Sequence, residues 1–180
     1  MRRRDVIAGI GSLGVVGGAS AVAIGGVPSF GSTEDADPVE PQMVETIDAP
    51  GSEAGEVRVP ASDQPTFIDF FATWCPPCSE QMPALIEAHE RVGDDVLFMS
   101  VTNENVGGSV TKEEVADWWA DHDGNWTLGI DPIRDLSAQY SIGGLPYAVA
   151  IDVDGRVQWS DSGRKSADEF VDGIERAIEN

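Results

Sequence analysis

The sequence predicts one α/β domain, a mixed sheet flanked by helices, carried behind an N-terminal leader. Three observations predict it. The run Thr66 to Ala72 is apolar, β-branched and aromatic, and Pro65 and Pro76 bound it, as suits a buried strand. The chain then enters Cys75-Pro76-Pro77-Cys78, where the prolines fit the first turn of a helix because N–H groups missing there cost nothing. Downstream, short apolar runs alternate with amphipathic helical patterns and close with a hairpin and a last helix.

Residues 1–30 read as a targeting segment rather than as part of the fold. Arg2, Arg3 and Arg4 make a basic start, and Arg3-Arg4-Asp5-Val6-Ile7 resembles the twin-arginine signal pattern. The 22 residues from Val6 to Val27 carry no charge and seven glycines. That is weakly hydrophobic, yet long enough to span a bilayer, which needs about 20 residues. Ala19-Ser20-Ala21 and Ala21-Val22-Ala23 offer small-residue cleavage patterns, so release and retention as an anchor both stay open. No cysteine follows the leader, which excludes lipoprotein-type attachment. Residues 31–42 are acidic and aperiodic, the signature of a disordered linker.

The domain is expected over residues 43–180. Val44 to Ile47 and Glu56 to Val59 form an N-terminal hairpin around Gly51 to Gly55. After the central strand, a helix runs from Cys75 to about Arg91 and ends near Gly93. Asp95 to Thr102 is the next strand and Asn103 to Gly108 a loop. Thr111-x-x-Glu114 is a capping box that opens a helix with Val115, Trp118 and Trp119 on one face, set for packing on the sheet. Trp126 to Ile130 is a strand and Ile133 to Tyr140 a short helix. Tyr147 to Asp152 and Arg156 to Trp159 pair across Asp154-Gly155. Ser166-x-x-Glu169 caps a last helix with Phe170, Ile174, Ala177 and Ile178 at helical spacing.

Charge narrows the function classes. Nine arginines and two lysines stand against eighteen aspartates and fourteen glutamates, a formal net charge of −21. Nucleic acid is excluded as a partner, since phosphate binding needs a basic surface. The acids are scattered over the mature chain, which fits a heavily hydrated surface of the kind halophiles use.

Cys75 and Cys78 are the only cysteines, so an exported chain of this kind has no structural disulfide framework. The pair serves chemistry or metal. Disulfide exchange needs an attacking thiolate, a second thiol to resolve the mixed disulfide and a route for protons. Cys75 at a helix N-terminus suits the exposed nucleophile, and Cys78, one turn in, suits the resolving thiol. Pro76 and Pro77 remove two N–H groups and so temper the stabilisation. Asp69 lies six residues before Cys75 in an apolar strand. Burial there raises a carboxyl toward neutrality, which would let it take the proton of Cys78. His89 lies 11 residues past Cys78, about 16 Å along a helix, too far to serve as its base. His122 ends the tryptophan-bearing helix, placed to meet its last carbonyls.

These residues carry a family resemblance. Trp74-Cys75-Pro76-Pro77-Cys78, with Pro83 and the later Gly144-Leu145-Pro146, resembles the active-site set of thioredoxin-like proteins, in particular the exported TlpA/ResA-like thiol–disulfide oxidoreductases. The resemblance runs from about Met43 to the C-terminus. It implies a thioredoxin fold with an N-terminal hairpin extension and a helical insertion, and a redox-active Cys75–Cys78 disulfide. It implies that Pro146 is cis and packs against the cysteines, that Leu145 presents its backbone to an extended substrate, and that Trp74, Pro76 and Pro77 line the contact surface. Thioredoxins carry an aspartate at the place of Asp69, whereas TlpA/ResA-like proteins often carry asparagine there. They commonly have glutamate where this chain has Gln81; Glu80 beside it faces about 100° away on a helix. The chain thus looks like a hybrid with its acid relocated to Asp69. Implied partners are disulfide-containing exported proteins, apocytochrome c among them, and a membrane electron donor; no cofactor is implied, and a monomer is expected.

Two other readings stay open. Oxidation or isomerisation of secreted proteins would use the same residues at a higher reduction potential. A soft-metal module would use the two thiolates, although a four-ligand zinc site needs two more ligands and none lies at zinc-motif spacing.

Overall fold

The structure, a computed structural model, describes residues 37–180; the leader and the linker before Asp37 lie outside them. Seven strands form one sheet: β1 (Gln42–Thr46), β2 (Gly55–Val59), β3 (Thr66–Phe71), β4 (Leu97–Thr102), β5 (Thr127–Ile130), β6 (Tyr147–Ile151) and β7 (Val157–Ser162). The spatial order is β2-β1-β5-β4-β3-β6-β7. β3, β4 and β5 run parallel, while β6 and β7 continue antiparallel on one side and β1 and β2 on the other. Four helices accompany them: α1 (Pro76–Val92), α2 (Lys112–Asp121), α3 (Asp135–Gln139) and α4 (Ala167–Ile178). This is the expected mixed α/β architecture, hairpin included. α2 is the crossover between the parallel neighbours β4 and β5.

β3 is an interior strand, between β4 and β6, and is buried on both faces. One face carries Phe67, Phe98, Leu128 and Ala150 against Leu85 of α1, Trp119 of α2 and Phe170 and Ile174 of α4. The other carries Ile68, Phe70, Met99 and Val149 against Leu136 of α3. Asp69 therefore lies between Phe67 and Phe71 on the α1 side, since alternate strand residues share a face. Both capping boxes form as expected, at Thr111 and Ser166. Trp119 is fully buried, and its partner Trp118 stacks on Phe71 at 4.9 Å and on His122 at 4.1 Å, so the pair is packing rather than a free docking face. His122 Nδ1 lies 2.7 Å from the Trp118 carbonyl oxygen at the helix end. His89 packs against the rings of Phe98 and Trp126.

Three local expectations change. The linker expected to be disordered through Gln42 is held from Val39 onward: Val39 N–H donates to Gly155 O at 2.8 Å, Gln139 Nε2 donates to Glu40 O at 2.8 Å, and Gln42 already belongs to β1. Backbone donors and acceptors were waiting at the β6–β7 turn, which composition does not reveal. The short helix spans only Asp135–Gln139, because Arg134 sits in the left-handed region (φ 63°) and the Asp131 carboxylate caps from behind, accepting Leu136 N–H at 3.3 Å and Ser137 N–H at 2.8 Å. Ile178 is exposed at the end of α4 while Phe170, Ile174 and Ala177 are buried.

Gly51 makes the hairpin turn fit against the chain entering β5. Its φ is +74°, and a Cβ there would lie 2.1 Å from the Asn125 carbonyl carbon. Neither backbone can yield cheaply. Gly51→Ala is expected to destabilise the domain by roughly 2–4 kcal/mol, read as a lower urea midpoint at unchanged slope.

Candidate active site

The site sits where the carboxyl ends of β3, β4 and β5 meet the start of β6. Cys75 is the N-cap of α1, in extended conformation, and Pro76 and Pro77 occupy the first two helical positions. The turn into the helix is closed by Cys75 N–H donating to Ala72 O at 3.1 Å. Cys78 N–H and Ser79 N–H both donate to Cys75 O, at 3.0 and 3.3 Å. The helix start therefore offers few donors to the sulfur of Cys75: two N–H groups are deleted by proline and the next two are engaged by its carbonyl.

Cys75 and Cys78 are joined in a disulfide with their Cα atoms 5.3 Å apart. Cys75, expected as an exposed nucleophile, is 4% exposed, and Cys78 is 2% exposed. The pairing holds the Cys75 sulfur against Cys78, which lies on the buried face of α1. Exposure passes to the neighbours: Trp74 is 69% exposed, and Pro76 and Pro77 are exposed as well.

Beneath the helix lies Asp69, 1% exposed. A hydrated edge position for it is ruled out. Gln81 Nε2 donates to Asp69 Oδ1 at 3.0 Å, and Gln81 lies one turn after Cys78 on the same helix face. Ser100, opposite Asp69 in the parallel register, accepts the Trp126 Nε1–H at 3.0 Å and offers its hydroxyl toward the carboxyl. Burial pushes the Asp69 carboxyl up from 3.8 to about 7, although the bonds from Gln81 and Ser100 pull the other way. Gln81, marked in the sequence only as a departure, is thus the side chain that orients the acid. Its other end is held too, with Lys165 N–H donating to Gln81 Oε1 at 3.1 Å. Carboxylate and carboxamide stand on strand and helix respectively, the reverse of the asparagine and glutamate that the resemblance assigns to those places.

The Leu145–Pro146 peptide is cis, as expected, and Pro146 is buried at the entry to β6. Its carbonyl accepts Gly163 N–H at 2.9 Å. Leu145 is half-buried and packs against both core faces. The segment Gly163 to Lys165 therefore touches both the Pro146 loop and Gln81, and Arg164 pairs with Glu80 at the helix start.

Glu104 escaped the sequence reading. It lies beyond β4, is 8% exposed, and accepts hydrogen bonds from Thr73, two residues before Cys75. The only sequence signal was an acid in the loop after the neighbouring strand, at the end of the sheet where the cysteines sit. Among the described residues no group of three or more His, Cys, Asp or Glu is placed to hold a metal ion.

Fold and site together define a thioredoxin-fold protein with a Cys-x-x-Cys disulfide at a helix start and a buried acid under it. A model of the Redoxin family matches residues 49–178, and the chain belongs to that family. Sporulation thiol-disulfide oxidoreductase A of Bacillus subtilis is 21% identical over 150 residues, covering 82% of this chain and 87% of that one. Thiol-disulfide oxidoreductase ResA of Bacillus cereus is 27% identical over 94 residues, covering 51% of this chain; the match spans half of ResA, 50% of its length. The crystal structure of StoA from Bacillus subtilis superposes with a TM-score of 0.62 at 20% identity, covering 74% of this chain and 95% of that one.

Proposed function

We propose that this protein is a thiol–disulfide oxidoreductase that acts outside the cytoplasm and reduces the disulfides of partner proteins. The observation that carries the reading is the Cys75–Cys78 pair at the start of α1, with the buried Asp69 carboxyl held under the same helix face. In the reduced protein the Cys75 thiolate attacks one sulfur of a client disulfide. A new S–S bond joins Cys75 to the client, and the client's other sulfur leaves as a thiolate. Cys78 then gives its proton to Asp69 and attacks the Cys75 sulfur. The client sulfur bonded to Cys75 leaves as a thiolate, two electrons have passed to the client, and the Cys75–Cys78 disulfide remains.

What the site lacks supports the reducing direction. A strong oxidant needs a stabilised reduced form. Here prolines delete two helix N–H groups next to Cys75, and the chain carries a net charge of −21 that disfavours a further anion. The recharging donor is an electron carrier in the membrane, and clients are exported proteins of the apocytochrome c kind; both come from the family resemblance. Location rests on the twin-arginine-type leader. Among the described residues no helix is long and apolar enough to cross a membrane.

The deciding measurement is the Cys75–Cys78 reduction potential in defined thiol–disulfide buffers. A value near or below about −270 mV supports the reductase, and one near −120 mV makes the protein an oxidant and defeats the direction.

Trp74, Pro76, Pro77 and Leu145 form the client contact surface in this reading. Trp74→Ala is expected to slow reduction of a protein client about tenfold. Stability should stay within about 0.5 kcal/mol, because Trp74 projects into solvent. Reduction of a small-molecule disulfide should be unchanged. Equal losses for both substrates would assign Trp74 to the chemistry instead of to client contact.

A further inference from the structure

The geometry points to Glu104 as a positioning residue for the cysteine turn, acting through Thr73. The inference rests on the thiol–disulfide reading above and adds to it a part of the site that neither cysteine motif nor proline loop contains.

A carboxylate 8% exposed is costly unless its oxygens are occupied. Three donors occupy those of Glu104. Thr73 N–H donates to Oε2 at 2.7 Å, Thr73 Oγ1–H to Oε1 at 3.0 Å and Thr102 Oγ1–H to Oε2 at 3.1 Å. Two of the three come from one residue, so the carboxylate grips Thr73 with both oxygens, and bonds to a charged acceptor are the stronger kind. Thr73 is the second residue of the turn that Ala72 O and Cys75 N–H close. Fixing its peptide and its hydroxyl fixes the plane from which Trp74 and Cys75 depart.

The grip is anchored from behind. Glu104 N–H donates back to Thr102 Oγ1 at 3.3 Å, Val106 N–H donates to Glu104 O at 2.8 Å, and Asn105 O accepts Gly108 N–H at 3.0 Å. From α2, the helix that follows this loop, Trp118 stacks on Phe71. Ala72 is therefore held on one side by the loop after β4 and on the other by α2, through contacts that touch neither sulfur and need not change when the disulfide opens. A turn held in one geometry keeps the Cys78 sulfur at a high effective concentration relative to Cys75, which stabilises the disulfide and speeds resolution. Glu104 thus makes the pair more reducing.

The test measures two quantities for the wild type, Glu104→Gln, Glu104→Ala, Thr73→Val and the Thr73→Val/Glu104→Ala double variant. One is the equilibrium constant for disulfide formation against glutathione. The other is the rate at which reduced protein attacks a small aromatic disulfide. Glu104→Ala is expected to lower the constant about tenfold, a potential about 30 mV less negative, and Glu104→Gln to lie between it and the wild type. Thr73→Val, which leaves the carboxylate its other donors and so folds, is expected to lower the constant about threefold. It should add nothing once Glu104 is alanine, the signature of two residues acting as one unit. Thermal unfolding recorded alongside separates the alternatives. If the Glu104 and Thr73 variants lose stability while both constants stay within about twofold of wild type, Glu104 only anchors the fold and the inference is overturned. A wild type with no reversible couple would overturn the thiol–disulfide reading and this placement with it; a reversible wild-type couple unchanged in the variants overturns the placement alone.

Discussion

Cys75→Ser is expected to bring disulfide exchange down to the uncatalysed background, a loss on the order of 10³-fold or more. Cys78→Ala behaves differently. It keeps the attacking sulfur and loses the one that releases the client, so a mixed disulfide on Cys75 accumulates and shows as a mass adduct under non-reducing conditions. The asymmetry follows from position: Cys75 stands at the N-cap beside exposed Trp74 and Pro76, while Cys78 faces the core one turn in. Neither variant should unfold. The cross-link spans a sequence separation of only 3, and closing so short a loop contributes ~2 kcal/mol. Turnover retained by Cys75→Ser, or clients captured on Cys78 instead, would reverse the assigned roles.

Asp69→Asn is expected to stabilise the oxidised protein at pH 8 by roughly 2–4 kcal/mol and to slow release of the mixed disulfide by about 10²-fold at neutral pH. The sign follows from burial. Folding raises the Asp69 carboxyl from 3.8 to about 7, so between those values the native state holds a proton that the unfolded chain has lost. Stability therefore falls as pH rises through that window and stays at its lower level above about pH 7, where a carboxylate is buried at full cost. Asparagine keeps the shape and removes the charge. Its advantage should be largest above pH 7 and should fade toward pH 4. Release by the wild type should speed up as pH passes about 7, where Asp69 becomes free to take the Cys78 proton, and the variant should lose that limb. Urea unfolding and quenched-flow release at a series of pH values check both. A variant with no gain at pH 8 would mean that Gln81 and Ser100 fully offset the desolvation.

The opposite consequences of this one substitution have a common cause. A carboxylate in an apolar layer costs stability whether or not a client is present, and it is useful only when a neighbouring thiol must lose a proton. Gln81 moderates that cost. It donates to the acid, and its own carbonyl is occupied by Lys165 N–H, so the amide cannot turn to offer its oxygen to Asp69. An exchange of acid and amide between strand and helix keeps one titratable group in the pair while changing which backbone element carries it.

Features with a local cause are legible along the chain. The burial of β3, the helix start at Pro76-Pro77, both capping boxes, the Asp154-Gly155 turn and the placement of the cysteine pair follow from side chains within a few positions of one another. Short-range sterics and hydrogen bonding favour such features whatever the rest of the chain does. Asp69 was legible for the same reason, as a charge in an apolar alternation. The bonds between distant segments are not legible that way. Thr73 meets Glu104, separated by 31 positions, because β3 and β4 are parallel neighbours whose carboxyl ends open on the same side. Gln81 meets Asp69 and Lys165 because α1 crosses β3 at one angle and α4 begins beside it. Val39 to Gln42 is ordered because partners on the β6–β7 turn and α3 satisfy its backbone. No local preference encodes these pairings: each depends on the registry in which already formed elements pack, and that registry is a property of the whole core.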